Sequence, residues 1–322
     1  MGFWLDTLPR RLRLPYPIFF GLVALVIYVL GMPVMIFTGN LTRFLAEPRW
    51  ILLQVYGAFS AISVVFVFRE FLDSLDRIAQ LVSSEEEFQG LQSRTVRYLT
   101  HWAYWFVVLF WIVLNLLAFF APTGSVWTWY GSYDQPLLVT LFYQIVMLPA
   151  NVFGGVFTFV VPIGLTLAYR ELCVNTSFNQ SRLRSEWMTS FGGFRNLITL
   201  GLFVAGINAV LTLLIWTGAP PIFSYGSILV IVVPTLIFPH YYFHVLFSQA
   251  RRTQLVDVRQ QLLDASIDWK KETLRRVLLL LEEARIERKK TWLIDVVTMA
   301  EILIVALMHV LLVETITLLF HI

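Results

Sequence analysis

The chain has a single cysteine, Cys173, in 322 residues. An internal disulfide is therefore excluded, and thiol-based metal or redox chemistry has one side chain to draw on. Charge is also scarce: 14% of residues are Asp, Glu, Lys or Arg, with a net charge of +3. That is too little for the dense basic surface on which nucleic-acid binding depends. Several motifs are missing as well. The sequence contains no GxxxxGK[ST] loop, no GxGxxG after a strand, no HExxH and no GxSxG, so nucleotide-driven transport and the commoner hydrolases have no support within it. No reaction is written in the chain and it is not read as an enzyme. No internal repeat is visible in motif or hydropathy, which sets aside the two-fold architecture of many secondary transporters.

What is present is apolar. Hydrophobic residues make up 58% of the chain, aromatics 16% with 11 Trp, and mean hydropathy is +0.72. A water-soluble domain does not carry such a composition throughout; lipid must solvate most of it. The abundance of Trp suits helices whose ends sit in two headgroup layers. The fold class expected is all-α, a polytopic transmembrane bundle of about seven spans.

Seven apolar runs are long enough to cross a hydrocarbon layer of roughly 30 Å at about 1.5 Å per residue. The first three are Tyr16 to Thr38, Trp50 to Phe68 and Trp102 to Ala121. The first follows Arg10, Arg11 and Arg13 as a signal peptide would, but it is too long and no small-x-small site follows, so it is read as a retained span. The fourth lies within Pro136 to Tyr169, near Met147 to Tyr169, with Pro149, Gly154 and Gly155 marking a kink or an interfacial lead-in. The fifth runs from Leu197 to Trp216, the sixth from Phe223 to Phe247 and the seventh from Val296 to Phe320.

Basic residues set the orientation, because loops rich in Lys and Arg stay in the cytoplasm. With the amino end inside, all of the 24 basic residues except Arg43 and Arg49 fall on inner segments. The expected location is the cell membrane, amino end cytoplasmic and carboxyl end outside. The organisation expected is residues 1–247 for spans one to six with a helical cytoplasmic loop at 69–100, a cytoplasmic helical segment at 248–292, and the final transmembrane helix at 293–322.

The cytoplasmic segments carry their own signals. Ser84-Glu85-Glu86-Glu87 has the form of a capping box, which starts a helix by satisfying its free N–H groups. Residues 170–195 are rich in Asn and Ser, with Gly192-Gly193 before the fifth span, and read as a loop with one short helix at most. In 248–292, Leu255, Val258 and Leu262, then Leu274, Leu278 and Leu281, recur at helical spacing and predict two amphipathic helices with a break near Asp268. Their apolar faces need a cover: each other, the ends of the spans, a second subunit of a homo-oligomer or a cytoplasmic protein partner. The basic run Arg285, Arg288, Lys289 and Lys290, just before Trp292, is placed to meet lipid headgroups.

Ionisable groups inside lipid are costly and are candidates for function by default. Here they gather in the last two spans: His240 and His244 at i and i+4, then Glu301, His309 and Glu314. His240 and His244 share a face about 6 Å apart along the axis, and Glu301 is expected at similar depth on the next helix. These residues, with His309 further outward, outline a candidate intramembrane polar path. The alternative is structural, with His244 reaching the headgroups, His240 bonded to a carbonyl and Glu301 protonated and packed. A lone HxxxH pair without Cys or paired carboxylates is a weak metal or haem signal, and no cofactor is expected. Gln54, Asn115, Gln144, Asn151 and Asn208 fit interhelical hydrogen bonds, and Gly201, Ala205 and Gly206 fit close helix packing.

The functional expectation is an oligomeric ion channel or channel-like pore in contact with membrane lipids. The alternative is a non-catalytic membrane subunit or sensor that binds a partner through its cytoplasmic helices; a membrane-embedded metal or haem protein is the third reading. In layout, though with no shared motif, seven spans with an inside amino end and a helical cytoplasmic mass before the last span resembles the insect odorant-receptor channels.

Overall fold

A computed structural model of the chain describes residues 4–100, 161–179, 190–215, 237–265 and 273–289, with a few single positions outside these stretches. The described residues are helical and include no strand. One isolated antiparallel bridge joins Val82 to Phe178. The seventh apolar run, most of the third, fourth and sixth, Asp268, Glu301, His309 and Lys290 lie outside the described residues.

A short helix α1 (Trp4–Arg11) leads into α2 (Tyr16–Phe37). The chain turns between them at Arg13, whose φ of 56° lies in the left-handed region. Pro15 caps α2 and Pro17 sits in its first turn, where a missing N–H costs nothing. Helix α2 exposes Ile18, Leu22, Leu25, Val26, Val29 and Leu30, whereas a helix of a water-soluble protein turns its polar face outward. It ends at Thr38, and Gly39 (φ 73°) reverses the chain into α3 (Leu41–Ala46). Asn40 ties this corner, its Nδ2 donating to Thr38 Oγ1 at 2.9 Å, and is only 4% exposed.

The central element is α4 (Pro48–Ile78), prolonged by a 3₁₀ turn at Ala79–Leu81. It extends ten residues beyond Phe68, where the apolar run stops, because Phe71, Leu75 and Ile78 continue its buried stripe. Helix α2 and α4 with its 3₁₀ turn are each long and apolar enough to cross a membrane.

Helix α4 packs against α2 on one side and α7 (Gly192–Ile215) on the other. Glycines permit two close approaches, Gly31 of α2 to Phe44 of α3 and Phe142, and Gly193 of α7 to α4. A Cβ on Gly31 would lie 2.6 Å from Phe142 Cζ and 3.2 Å from Phe44 Cζ; one on Gly193 would lie 2.6 Å from Ser74 Oγ. Ser60 Oγ of α4 donates to Asn208 Oδ1 of α7 at 3.1 Å, both residues being buried. This is an interhelical bond of the kind that the scattered amides suggested. Gly206, however, is exposed and adds nothing to this seam, which instead uses Gly201, Val204 and Asn208 at i, i+3 and i+7.

Helix α5 (Glu85–Leu99) begins as expected, Glu87 N–H donating to Ser84 Oγ at 3.2 Å. The reciprocal half of the capping box is diverted: Glu87 Oε1 accepts from the Ser177 N–H instead. Helix α6 (Val161–Arg170) continues into one π turn, Glu171–Asn175. The sixth run leads into α8 (Phe238–Ala265), which passes through position 248 without a break, and α9 (Thr273–Glu287) packs against it.

Candidate functional site

The C-terminal ends of α4 and α6, the start of α7 and the first turns of α8 meet in an aromatic cluster. Phe71, Tyr169, Phe191, Phe194, Phe243 and Phe247 are each at most 1% exposed, and their ring centroids lie 5.3 to 6.0 Å apart in mostly edge-to-face pairs. Such pairs contribute about 0.5–1.5 kcal/mol each beyond area burial. The cluster fixes the rotation of α8 and thereby places the two histidines of that helix.

His240 lies one turn before Phe243 and is 1% exposed; neither ring nitrogen has a hydrogen-bond partner among the described residues. Leaving a buried polar group unbonded costs about 1–3 kcal/mol. The carbonyl bond expected for a purely structural His240 is not made to any described residue. His244, one turn further, is differently placed. It is only partly buried and lies 3.4 Å from Ser248 Oγ through Nε2. Among the described residues no three His, Cys, Asp or Glu side chains gather as a metal site would require.

The basic run splits. Arg285 and Arg288 are exposed, whereas Lys289 Nζ donates to Gln254 Oε1 of α8 at 3.2 Å and helps close the α8–α9 hairpin. Arg259 binds Glu283 at 2.6 Å and Glu287 at 3.1 Å across the same hairpin. The two helices do cover each other, but through Val258, Leu279 and Ile286, with Leu255 and Leu262 packed alongside. On α9 this corrects the expected face: Leu278 and Leu281 are 57% and 62% exposed. The run Val277 to Leu281 is apolar all round, so spacing alone does not decide which side faces α8; the Arg259 and Lys289 bonds do.

Residues 170–195, expected to carry little, hold a polar joint. Glu171 in the π turn pairs with Arg94 of α5, Nε to Oε1 2.5 Å, and its Oε2 accepts from Asn175 Nδ2 at 2.7 Å. Ser83 N–H donates to Ser177 O and Asn179 N–H to Leu81 O. An Arg at the tenth position of a capped helix and a Glu just past an apolar run gave no spacing signal by which to find this pair. Cys173 is buried beside it, and burial pushes its thiol well above the usual range.

No protein-family model, curated protein or solved structure matches the chain.

Proposed function

We propose that the protein is a multi-pass membrane protein of seven spans, amino end in the cytoplasm and carboxyl end outside, that assembles as an oligomeric ion channel or channel-like pore. The seven apolar runs and the one-sided placement of Lys and Arg support the topology. Helices α2 and α4 fit two of those spans, and α7 covers nearly all of the fifth apolar run.

The observation that carries the pore reading is His240. A buried imidazole at 1% exposure, with no partner for either nitrogen among the described residues, is stabilised by a hydrogen bond to water or a polar group of the last span. The polar path then runs from His244 and His240 to Glu301 and His309 on the last span. Planar-bilayer recording of the reconstituted protein tests this: wild type passes current, and His240→Ala and Glu301→Gln each change conductance or selectivity. Currents unchanged in both variants remove the path.

One observation favours a second reading, a non-catalytic subunit or sensor. The α8–α9 hairpin leaves Val256, Leu263, Val277, Leu278 and Leu281 exposed, a face suited to a partner protein. Absence of any current, with a partner that copurifies and is lost on Leu278→Glu, supports that reading over the pore.

A further inference from the structure

Between α2 and α4 runs an open groove of about 530 Å³, lined by Gly21, Ala24 and Tyr28 from one helix and by Gln54, Ala58 and Ile62 among others from the second. Its floor is almost wholly apolar, and Leu25, Ile51 and Val55 along it are 48–56% exposed. The stripe on α4 continues inward at the same helical phase through Phe66, which is 53% exposed, to Arg69.

At that inner end two guanidiniums converge on one tyrosine. Arg69 Cζ stands 4.6 Å from the centre of the Tyr16 ring, and Arg10 Nε donates to the Tyr16 hydroxyl at 3.4 Å. The turn at Arg13 and the packing of α1 on α4 bring this about, and they leave Arg11 and Arg13 exposed at the same foot of α2. Whatever else each arginine bonds, gathering them here raises the local positive potential next to an apolar channel.

On the reading that these helices lie in a bilayer, we infer that this is a binding site for an anionic phospholipid of the cytoplasmic leaflet, its phosphate between Arg10 and Arg69 and one acyl chain in the α2–α4 groove. The dimensions agree. Half the hydrocarbon thickness is about 15 Å, which by helix rise is about ten residues of α4 and leads from Arg69 to Phe59, inside the groove. Phosphate suits the fork of donors that arginine presents, and the apolar floor excludes a free polar anion from the rest of the site.

Native mass spectrometry of the full chain, purified in detergent and offered phosphatidylglycerol or phosphatidylcholine, tests the assignment. Wild type retains phosphatidylglycerol in preference. Arg10→Gln with Arg69→Gln weakens that retention roughly thirty-fold, since each basic residue near anionic lipid contributes about a fivefold factor. A Cβ at Gly21 meets no atom within 4 Å, so Gly21→Leu fills the groove without a clash at its Cβ; it lowers retention of a sixteen-carbon-chain phosphatidylglycerol and spares a six-carbon-chain one. Equal retention of the two lipids, or a preference unchanged in the arginine variant, overturns the inference. Displacement by millimolar inorganic phosphate marks a free-phosphate site and overturns it too. Carbonate extraction of the same variants keeps the two claims apart: protein that stays in the membrane while lipid preference is absent sinks this site and leaves the topology standing.

Discussion

Arg94 of α5 and Glu171 of the π turn after α6 face each other with Nε and Oε1 2.5 Å apart, and the two sides of the pair are unequally wet. The Glu171 side chain is 10% exposed and that of Arg94 43%. Removing the arginine strands a buried carboxylate, whereas removing the carboxylate leaves a guanidinium that water can reach. We expect Arg94→Ala to lower stability by about 1–3 kcal/mol and Glu171→Gln by less, the exposure of Arg94 moderating both. Thermal melts in detergent, arranged as a double-mutant cycle, measure the difference; equal costs would show that the pair is solvated throughout.

Gly193 and Ser74 make a sharper steric test. Gly193→Ala places its Cβ 2.6 Å from Ser74 Oγ and 3.2 Å from Ser74 Cβ, so the hydroxyl must turn aside and α7 and α4 must part slightly, at a cost of about 1–3 kcal/mol. The second change Ser74→Gly removes the two nearer of three contacting atoms, leaving the end of the Arg77 side chain at 3.3 Å, and is expected to restore part of the loss after about 0.5–1 kcal/mol for glycine inside a helix. A double variant as unstable as the single one argues against this close approach.

The hairpin distinguishes its two faces. Leu279→Asp puts a charge into the contact with Val258 and Ile286 and is expected to separate α9 from α8, exposing α9 to limited proteolysis. Leu281→Asp, on a side chain already 62% exposed, leaves the protease pattern unchanged. The reverse result restores the face that the Leu274, Leu278 and Leu281 spacing suggested.

Cys173 supplies a prediction in pH. Burial raises its thiol pKa well above 9.0 in the folded protein, so the folded state favours the protonated form. The resulting stability is complete below the ordinary thiol pKa and is lost as pH rises beyond it. We expect slow alkylation at pH 8 until the protein is denatured, and an alkaline loss of stability above about pH 9 that Cys173→Ala reduces. Rapid alkylation of folded protein would contradict the burial.

How much of this was legible in the sequence follows from which forces have a period. The start of α5 could be read because a cap is local chemistry: Ser84 and Glu87 stand three residues apart in any helix that begins there. The hairpin could be anticipated as two helices, since apolar spacing specifies an amphipathic helix without naming its partner. Its contact face on α9 could not, because Val277 to Leu281 is uninterrupted and the choice belongs to Arg259 reaching Glu283 and Glu287. The extension of α4 past Phe68 was hidden for a related reason: Arg69, Glu70 and Asp73 end the apolar run, while the buried stripe Phe71, Leu75 and Ile78 continues the helix beneath them. At the candidate site, the HxxxH spacing put His240 and His244 on one face; their unequal surroundings, His240 buried with no partner among the described residues and His244 part-buried beside Ser248, come from the aromatic cluster, which no local pattern encodes.

The most direct measurement is of sides. In a Cys173→Ser background, single cysteines at Gly124, Gly218, Glu86 and Gln260 are challenged in intact cells with a membrane-impermeant maleimide. Labelling at 124 and 218, with none at 86 and 260 until the cells are opened, is the expected pattern. Labelling of 86 or 260 from outside would contradict a chain threaded with its basic segments in the cytoplasm, and with it the proposed pore.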